Sequence, residues 1–236
     1  WGCIKYMIND IINVGIPSKG RLRKDVLNIF KKKKLSLFSE RGERDLLASI
    51  KGKKNIKIIY LHAREIIQRL GEGSLDFGFS GFDLFKESEI NIQNKISVSK
   101  KYNFGKAKLV VAIPDEWIDV QTIADLEEIA FEFKDKKKKR LRVATKYPNL
   151  TREFLFSKGV TQFKLVSSLG ATEAYPFTES SEIITDITST GETLKANNLR
   201  ILKDGEILKS EACMMVSRSS AKKKALKSLT KLLSKN

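Results

Sequence analysis

The strongest constraint on the fold is the regular alternation of short apolar runs with amphipathic segments of helical length. Ile11–Ile16 is typical of a buried strand, and the loop Pro-Ser-Lys-Gly leads from it into an amphipathic segment at Leu22–Lys32. The same alternation continues with a strand at Ile56–Leu61, a helix at Ala63–Leu70 and a strand at Ser74–Phe79. Because strands connected through helices pair in parallel, the pattern predicts an α/β fold on a largely parallel sheet.

A second series of the same kind begins near Gly105. Its predicted elements are a strand at Ala107–Ile113, a helix at Gln121–Ile129, a strand at Leu141–Ala144, a helix at Asn149–Lys158, and strands at Phe163–Val166 and Ile183–Ile187. The basic run Lys134–Arg140 lies between two of these elements and is interpreted as a solvated turn. The tail Ser219–Leu233 has helical periodicity and is expected to pack on the first lobe.

Composition limits the chemistry. The 236 residues are 41% hydrophobic, which suits a folded core. With Cys3 and Cys213 as the only cysteines and His62 as the only histidine, neither a disulfide framework, a zinc site nor a histidine triad is expected. His62 is expected to pack or to cap a helix. The sequence shows neither a membrane-spanning run nor a signal-peptide pattern, so a cytoplasmic location is expected.

The formal net charge of +17 predicts attraction to polyanions, which include both nucleic acids and nucleotide phosphates. Much of the excess lies in Lys31–Lys34, in Lys136–Arg140 and in the lysines that follow Ala221. These runs contain almost no aromatic residues on which bases could stack, which argues against a nucleic-acid-binding module. A lysine-rich composition without any binding role explains the same runs and is the favoured interpretation.

A hydroxyl-rich turn follows one of the predicted strands. Residues 183–194 read I-I-T-D-I-T-S-T-G-E-T-L, an apolar strand that continues into a polar turn and a helix. Backbone N–H groups at the helix start, together with the hydroxyls of Thr188, Ser189, Thr190 and Thr193, could surround phosphate oxygens. Gly191 would allow close backbone approach. An ordinary Ser/Thr cap on a helix explains the same composition, so the residues alone leave both interpretations open.

Four further segments occur upstream in a fixed order. They are I-P-S-K-G-R-L at 16–22, D-F-G-F-S-G-F-D at 76–83, A-T-K-Y-P-N-L-T-R at 144–152 and L-G-A-T-E-A-Y-P at 169–176. Together with the hydroxyl-rich turn, these segments resemble the motifs of the ATP phosphoribosyltransferase family, the first enzymes of histidine biosynthesis. The resemblance extends over about residues 11 to 218.

The resemblance implies a two-lobed α/β fold like that of type II periplasmic binding proteins, with the active site in the cleft between lobes. Residues 11–104 and 217–236 would form the first lobe, and residues 105–216 the second, which carries the hydroxyl-rich turn. The implied reaction joins N1 of the ATP adenine to C1′ of phosphoribosyl diphosphate and releases pyrophosphate. Mg²⁺ would arrive with the diphosphate, and no metal ligand from the protein and no strong nucleophile are expected.

Site residues follow from the matched motifs. Lys19, Arg21 and Arg44 are expected to carry the catalytic work by binding phosphate or pyrophosphate oxygens. The expected substrate-binding residues are Asp186, Thr188, Ser189, Thr190, Gly191, Glu192, Thr193, Glu173, Tyr147, Arg152 and Asp83. For Asp186 the expected partners are the vicinal hydroxyls of the ribose. Each basic residue could instead be an ordinary surface charge, and Asp76 is expected to hold loop geometry without touching substrate.

Three residues depart from the family pattern near the signature strand. Glu179 and Glu182 stand where many members have a glycine and an aspartate, and Thr185 replaces an aliphatic residue. These departures could alter packing or specificity, but they leave the expected contact residues in place.

About twenty residues follow Ser217, which suggests the short form of the family, without a regulatory domain. By resemblance, a homodimeric catalytic core would join a regulatory subunit related to histidyl-tRNA synthetase in a hetero-octamer. The rival interpretation is a non-catalytic protein of the same architecture that binds an anionic small molecule. No membrane partner is expected.

Overall fold

The computed structural model of the chain describes residues 11–39 and 46–234. Within them the strands are β1 (Ile12–Pro17), β2 (Leu37–Phe38), β3 (Leu47–Ile50), β4 (Lys53–Leu61), β5 (Phe77–Gly81), β6 (Ile96–Lys101), β7 (Ala107–Pro114), β8 (Leu141–Thr145), β9 (Phe163–Ser167), β10 (Ile183–Thr188), β11 (Leu199–Ser210) and β12 (Ala212–Ser217). The α-helices are α1 (Gly20–Lys32), α2 (Ala63–Glu72), α3 (Phe82–Glu87), α4 (Ile90–Gln93), α5 (Ile123–Lys137), α6 (Pro148–Ser157), α7 (Glu192–Ala196) and α8 (Lys224–Ser234). Short 3₁₀ turns cover Thr172–Ala174 and Arg218–Ser220.

The chain divides into two compact units, and it passes from the first to the second after Gly105 and returns after Ser210. Among the described residues, the first unit contains a sheet in the order β2-β3-β4-β1-β5-β12-β6. The second unit contains a sheet in the order β11-β7-β10-β8-β9. Each sheet carries apolar side chains on both faces, as expected of a sheet that is covered on two sides.

In the first unit, alternate residues of the central strands supply two separate cores. Ile12, Val14 and Ile16 of β1 pack in one core, into which α8 inserts Leu226, Leu229 and Leu233. The opposite face packs against α2 through its apolar residues. The C-terminal helix therefore completes the core of the first unit. His62 caps α2, since its Nδ1 accepts the N–H of Arg64 at 3.3 Å.

Two glycines let α2 lie close to the first sheet. A Cβ at Gly15 would lie 3.2 Å from Ile66 Cγ1 of α2 and 2.7 Å from Leu75 Cδ1, which follows the helix. A Cβ at Gly78 would lie 2.8 Å from Ile66 Cγ2 and 3.2 Å from the carbonyl oxygen of Gly15. Gly15 and Gly78 are paired across β1 and β5. The missing side chains at this pair of positions leave room for the apolar side chains of the helix.

We expect Gly78→Ala to lower the free energy of unfolding by about 1–3 kcal/mol, because the added methyl group overpacks a closed interface. Denaturant unfolding of the purified protein measures this change. Gly170→Ala is the matched control, since a Cβ there meets nothing within 4 Å, and it should stay within about 0.5 kcal/mol of wild type. Equal stability of the two variants would contradict the close approach of α2.

In the second unit, β10 lies at the centre of the sheet. It runs antiparallel to β7 and parallel to β8. One face packs against α5 and α6, and Ile183 contributes to that core. The other face carries Ile184, together with Leu194 of α7 and Leu199. Because side chains alternate along a strand, Asp186 and Thr188 lie on the same face as Ile184, and Thr185 lies on the face of α6.

The predicted α/β class agrees with this structure, but the prediction of largely parallel sheets was wrong. In the first sheet only the pairs β1–β4 and β1–β5 are parallel, and in the second only β8–β10 and β8–β9, among the described strands. Strands β11 and β12 were not predicted. Both run antiparallel to their neighbours, and β12 inserts between β5 and β6.

Two other boundaries need correction. Residues 211–216 were assigned to the second lobe, yet they belong to the first unit, because β12 is buried throughout and pairs within its sheet. The basic run was interpreted as a turn, but its lysines up to Lys137 continue α5, and Lys138, with φ of 52°, caps the end of the helix. Lysine is a good helix former and its charge is favourable at a helix C-terminus.

Candidate active site

The hydroxyl-rich turn joins β10 to α7 in the second unit. Thr188 Oγ1 accepts the N–H of Gly191 at 2.9 Å, and Thr190 Oγ1 accepts the N–H of Glu192 at 3.4 Å. Gly191 has φ of +80°, while the nearest atom to a Cβ there would be Ile201 Cδ1 at 3.7 Å. The backbone conformation therefore calls for glycine, whereas the available space does not. Ser189 is exposed at the tip.

The neighbouring residues of this turn are solvent-accessible. Glu192 and Thr193 begin α7 and are exposed, and Leu194 anchors the same helix in the core. The turn thus combines a rigid backbone with side chains that face water. That arrangement can receive an anion through its hydroxyls and through the N–H groups that Thr188 and Thr190 do not already engage.

Asp186 lies two residues before the end of β10 and is partly buried. Its Oδ1 accepts the N–H of Ile187 at 2.9 Å. Burial raises the pKa of the Asp186 carboxyl above its usual value, and the negative charge of Glu173 raises it further. The bond from Ile187 and the positive charge of Lys146 act in the opposite direction. A carboxylate is therefore held partly out of water beside the turn.

The charges of Glu173 and Lys146 both act on the carboxyl of Asp186, so the structure places each of these two groups near Asp186. Glu173 lies in the 3₁₀ turn at Thr172–Ala174 and is half-buried. Lys146 follows directly after β8, the parallel neighbour of β10. The sequence motifs predict a role for Glu173 and Asp186 but none for Lys146. The available signal was its place at the C-terminal end of a strand, where ligands of open α/β sheets bind.

The start of α6 carries two predicted contact residues in different environments. Tyr147 is only 5% exposed, and its N–H donates to Thr145 Oγ1 at 2.8 Å. Pro148 occupies the first helical position, where its missing N–H costs nothing. Arg152 is exposed, and its Nη1 lies 3.5 Å from Asn149 Oδ1. Tyr147 is thus packed into its unit, whereas Arg152 is accessible to a ligand.

The predicted catalytic residues Lys19 and Arg21 lie at the loop between β1 and α1, in the first unit. Lys19 precedes the helix and is exposed. The side chain of Arg21 is 85% exposed, with Nε 3.9 Å from Asp25 Oδ2. Gly20 between them has φ of +83°. Arg44 lies outside the described residues.

Arg23, in the first turn of α1, supports this loop and was not predicted from the sequence. Its Nη1 donates to the carbonyl oxygen of Ser18 at 2.9 Å, and its guanidinium lies 4.6 Å from the centre of the Tyr60 ring. These contacts hold the loop that presents Lys19 and Arg21. Burial raises the pKa of the Tyr60 hydroxyl, and Arg23 partly offsets that effect.

The carboxylates of the D-F-G-F-S-G-F-D segment are both buried. Asp83 lies in the first turn of α3, and a Cβ on Gly81 would come 2.3 Å from its Oδ1. Asp76 Oδ2 accepts the N–H of Asn13 at 2.7 Å, and its Oδ1 accepts from Ser220 Oγ at 2.5 Å. Lys223 Nζ lies 2.8 Å from the same Oδ1. Asp76 therefore joins three segments of the first unit.

Two of the departures from the family pattern have clear contacts. Glu182 accepts from the guanidinium of Arg142 at 2.7 Å and from the Arg142 N–H at 2.6 Å. The hydrogen bond between the two side chains raises the pKa of the Arg142 guanidinium, and burial acts to lower it. Thr185 is fully buried, and its hydroxyl contacts those of Thr145 and Thr151 at 2.6 Å each. Glu179 has φ of 56° and is exposed.

In the part of the chain that the structure describes, no group of three or more His, Cys, Asp or Glu side chains is placed to hold a metal ion. No helix within residues 11–39 and 46–234 combines the length and the apolar character that a membrane span requires.

Sequence comparison gives relatives of two lengths. An ATP phosphoribosyltransferase from Nitrobacter winogradskyi is 44% identical over 205 residues, which cover 87% of this chain but only 63% of the relative. This chain therefore spans less than two thirds of that relative. An ATP phosphoribosyltransferase from Mesorhizobium japonicum is 41% identical over 209 residues, which cover 88% of this chain and 90% of the relative.

Structural comparison agrees with the predicted architecture. The ATP phosphoribosyl transferase (HisG:HisZ) complex from Thermotoga maritima matches with a TM-score of 0.74 and 27% identity, covering 94% of this chain and 96% of that chain. The substrate binding protein of an amino acid ABC transporter matches with a TM-score of 0.54 and 15% identity over 94% of this chain and 89% of that chain. The second likeness shows the fold alone, and it confirms the periplasmic-binding-protein-like class.

A sequence family described as ATP phosphoribosyltransferase matches residues 62–235. That range includes the hydroxyl-rich turn, the partly buried Asp186 and the start of α6. The chain belongs to the ATP phosphoribosyltransferase family.

Proposed function

We propose that this chain catalyses the ATP phosphoribosyltransferase reaction, the first step of histidine biosynthesis. Adenine N1 of ATP would attack C1′ of phosphoribosyl diphosphate, forming the N1–C1′ bond while the bond from C1′ to the diphosphate oxygen breaks. Pyrophosphate would leave with the electron pair. The observation that carries the proposal is the rigid turn of hydroxyls around Gly191, placed directly after the partly buried carboxylate of Asp186.

The turn would bind the phosphate of the phosphoribosyl group. Its N–H groups and the hydroxyls of Ser189, Thr190 and Thr193 supply donors at a helix start, which suits a phosphate. Asp186 would accept hydrogen bonds from the two ribose hydroxyls, because an ionised carboxylate has acceptor sites only. Family membership and the geometry of the turn both support this assignment.

Charge is the main catalytic contribution in this proposal. The departing pyrophosphate develops negative charge, which nearby cations would stabilise. Lys19, Arg21 and Arg44 are the proposed cations, and Lys146 is added because it acts on Asp186. Glu173, Tyr147, Arg152 and Asp83 remain proposed substrate contacts, with Arg152 the most accessible of them.

Magnesium would enter with the diphosphate. Mg²⁺ commonly keeps several waters and is bound through substrate phosphates and one or two carboxylates. Glu173 and Asp186 offer carboxylates near the turn, so the residues present fit such an ion. When bound, the ion would neutralise charge on the diphosphate oxygens.

A regulatory partner is also proposed. The Thermotoga maritima structure, which matches 94% of this chain, is a complex named HisG:HisZ. By the same resemblance, a homodimer of this chain would assemble with a subunit related to histidyl-tRNA synthetase into a hetero-octamer. Activity of the isolated chain would then be weak, and histidine alone would inhibit it little.

The decisive experiment mixes the chain with ATP, phosphoribosyl diphosphate and Mg²⁺ and follows pyrophosphate release, with and without the regulatory subunit. We expect release that depends on both substrates. Gly191→Val should lose it, because a β-branched residue at positive φ costs about 1–2 kcal/mol or more and would reshape the turn. Gly159→Val is the matched control, because Gly159 also has a positive φ, of +84°, and an added Cβ there meets nothing within 4 Å.

Binding without turnover would favour the alternative function. A chain that binds phosphoribosyl diphosphate or ATP but releases no pyrophosphate under either condition would be a non-catalytic binding protein for anionic small molecules. A chain that binds neither substrate would contradict both functions.

A further inference from the structure

Three buried threonine hydroxyls form a closed set in the second unit, which we name the threonine ring: Thr145, Thr151 and Thr185. Their exposed fractions are 2%, 0% and 0%. The oxygen of Thr185 lies 2.6 Å from that of Thr145 and 2.6 Å from that of Thr151, and the third side of the ring measures 3.3 Å. The two 2.6 Å contacts of Thr185 are short hydrogen bonds between buried hydroxyls, and the 3.3 Å contact between Thr145 and Thr151 is a long, weaker one.

Each hydroxyl proton of the ring has an acceptor within the ring. Each threonine hydroxyl has one proton to donate and two lone pairs. Thr185 donates to Thr145, so Thr151 donates to Thr185 and Thr145 donates to Thr151. Thr145 also accepts the backbone N–H of Tyr147 at 2.8 Å. Thr145 is therefore the hub, since it makes three of the four bonds in this set.

The ring joins the two backbone segments that carry the charged groups of the site. Thr145 and Thr185 are paired across the parallel strands β8 and β10, and Thr151 reaches them from α6. Lys146 follows Thr145 in the sequence, and Asp186 follows Thr185. The positive charge of Lys146 acts on the carboxyl of Asp186. The hydrogen bond from the Tyr147 N–H to Thr145 Oγ1 spans Lys146 and fixes the backbone on both sides of it.

We propose that Thr145 is a positioning residue, which through the threonine ring and the Tyr147 N–H holds Lys146 beside Asp186 for the binding of phosphoribosyl diphosphate. The residue does not touch the substrate. It acts through its two neighbours, because a buried polar network that is fully satisfied permits one arrangement of its members. This inference rests on the proposed function.

Thr185 makes the ring a property of this chain in particular. At this position the family resemblance implies an aliphatic residue, which would leave Thr145 and Thr151 to bond each other alone. The hydroxyl of Thr185 supplies the two shortest bonds of the ring. Replacing Thr185 should therefore affect the binding of phosphoribosyl diphosphate only through Thr145. The effect should be smaller than that of replacing Thr145 itself.

The test compares Thr145→Val, Thr145→Ser, Thr185→Val and the double Val variant. Thr145→Val should raise the KM for phosphoribosyl diphosphate about 10-fold or more, from the loss of several hydrogen bonds, and leave the KM for ATP unchanged. Thr145→Ser keeps the hydroxyl and should stay within about 3-fold of wild type. Thr185→Val should cost about 2- to 5-fold, and the double variant should be no worse than Thr145→Val.

Ser181→Ala is the matched control for a purely structural effect. Ser181 is 2% exposed, and its hydroxyl donates to the carbonyl oxygen of Ile183 at 3.0 Å, within the same strand region. It should lower thermal stability and leave both KM values unchanged. If Thr145→Val fails to fold, Thr185→Val decides the question, because aliphatic side chains suit that position.

The outcomes separate the two proposals. Wild-type protein that neither binds phosphoribosyl diphosphate nor releases pyrophosphate would refute the proposed function and the role of Thr145 with it. An active wild type whose Val variants keep the KM for phosphoribosyl diphosphate would refute only the role of Thr145. Equal increases in both KM values, or increases in the Ser181→Ala variant, would also overturn it.

Discussion

Asp186→Asn is expected to weaken the binding of phosphoribosyl diphosphate by about 10- to 100-fold, while making the free protein more stable at neutral pH. The affinity falls because each hydrogen bond to a charged group contributes about 1.5–3 kcal/mol, and the amide loses the charge and one acceptor site. The stability rises because burial already disfavours the ionised carboxylate of Asp186, and the amide needs no charge.

The gain in stability should depend on pH in a defined direction. Since the pKa of Asp186 is raised in the folded protein above the ordinary value of 3.8, the folded state binds its proton more tightly than the unfolded state does. Wild-type protein therefore loses stability as pH rises from about 3.8 through the raised pKa, and the loss is complete above it. The variant does not titrate at this position. The stability difference should be full at neutral pH and shrink as pH falls toward 4.

Calorimetric titration with phosphoribosyl diphosphate and denaturant unfolding at several pH values measure the two effects. Asp125→Asn is the control of opposite sign. The pKa of Asp125 is lowered, first by the N–H groups of Gln121 and Thr122, so its amide variant should be less stable than wild type at neutral pH. An Asp186→Asn variant that binds like wild type would remove this carboxylate from the site. Reduced stability at neutral pH would contradict the effect of burial.

The local elements of the fold were predictable because their signals are contiguous in the sequence. Ile12–Pro17 and Ala107–Pro114 are short apolar runs, and both are strands. The sheet topology was not predictable in the same way. Strand β12 pairs with β5, more than a hundred residues earlier, and nothing in A-C-M-M-V-S indicates which sheet accepts it. A strand buried on both faces fits the centre of either sheet.

The same distinction applies to the candidate site, where features contiguous in the sequence were predictable and features that depend on strand order were not. The turn from Thr188 to Thr193 could be predicted as a unit, since its hydroxyls and Gly191 are neighbours in sequence. The approach of Lys146 to Asp186 could not, because it depends on β8 and β10 being adjacent and parallel. Thr185 appeared only as a departure from the family pattern. Its partners, Thr145 and Thr151, became identifiable once that strand order was known.

Asp76→Ala is expected to produce the largest loss of stability in the first unit, about 3 kcal/mol or more. The side chains of Asp76 and Lys223 are 5% and 29% exposed, respectively. Removing the carboxylate would leave the N–H of Asn13 and the hydroxyl of Ser220 without this acceptor. Lys223 would keep its 3.0 Å bond to the carbonyl oxygen of Ile11 but lose its counter-charge.

The consequence should reach the C-terminal helix. Asp76 joins β1, the Arg218–Ser220 turn and the residue that precedes α8, and α8 supplies Leu226, Leu229 and Leu233 to the core of the first unit. We therefore expect α8 to lose hydrogen-exchange protection before the sheet does. The melting temperature should fall by about 6–12 °C, at roughly 2–4 °C per kcal/mol for a protein of this size.

Asp135→Ala is the matched control, because it removes an aspartate whose ion pair with Lys138 is 3.9 Å long and whose side chain is 67% exposed. Exposed pairs of this kind contribute less than about 1 kcal/mol. Lys223→Met should fall between the two variants, since it removes the cation but leaves the acceptor of Asn13 and Ser220 in place. If Asp76→Ala melts within the range of Asp135→Ala, Asp76 does not anchor α8, and the apolar residues of the helix alone hold it on the first unit.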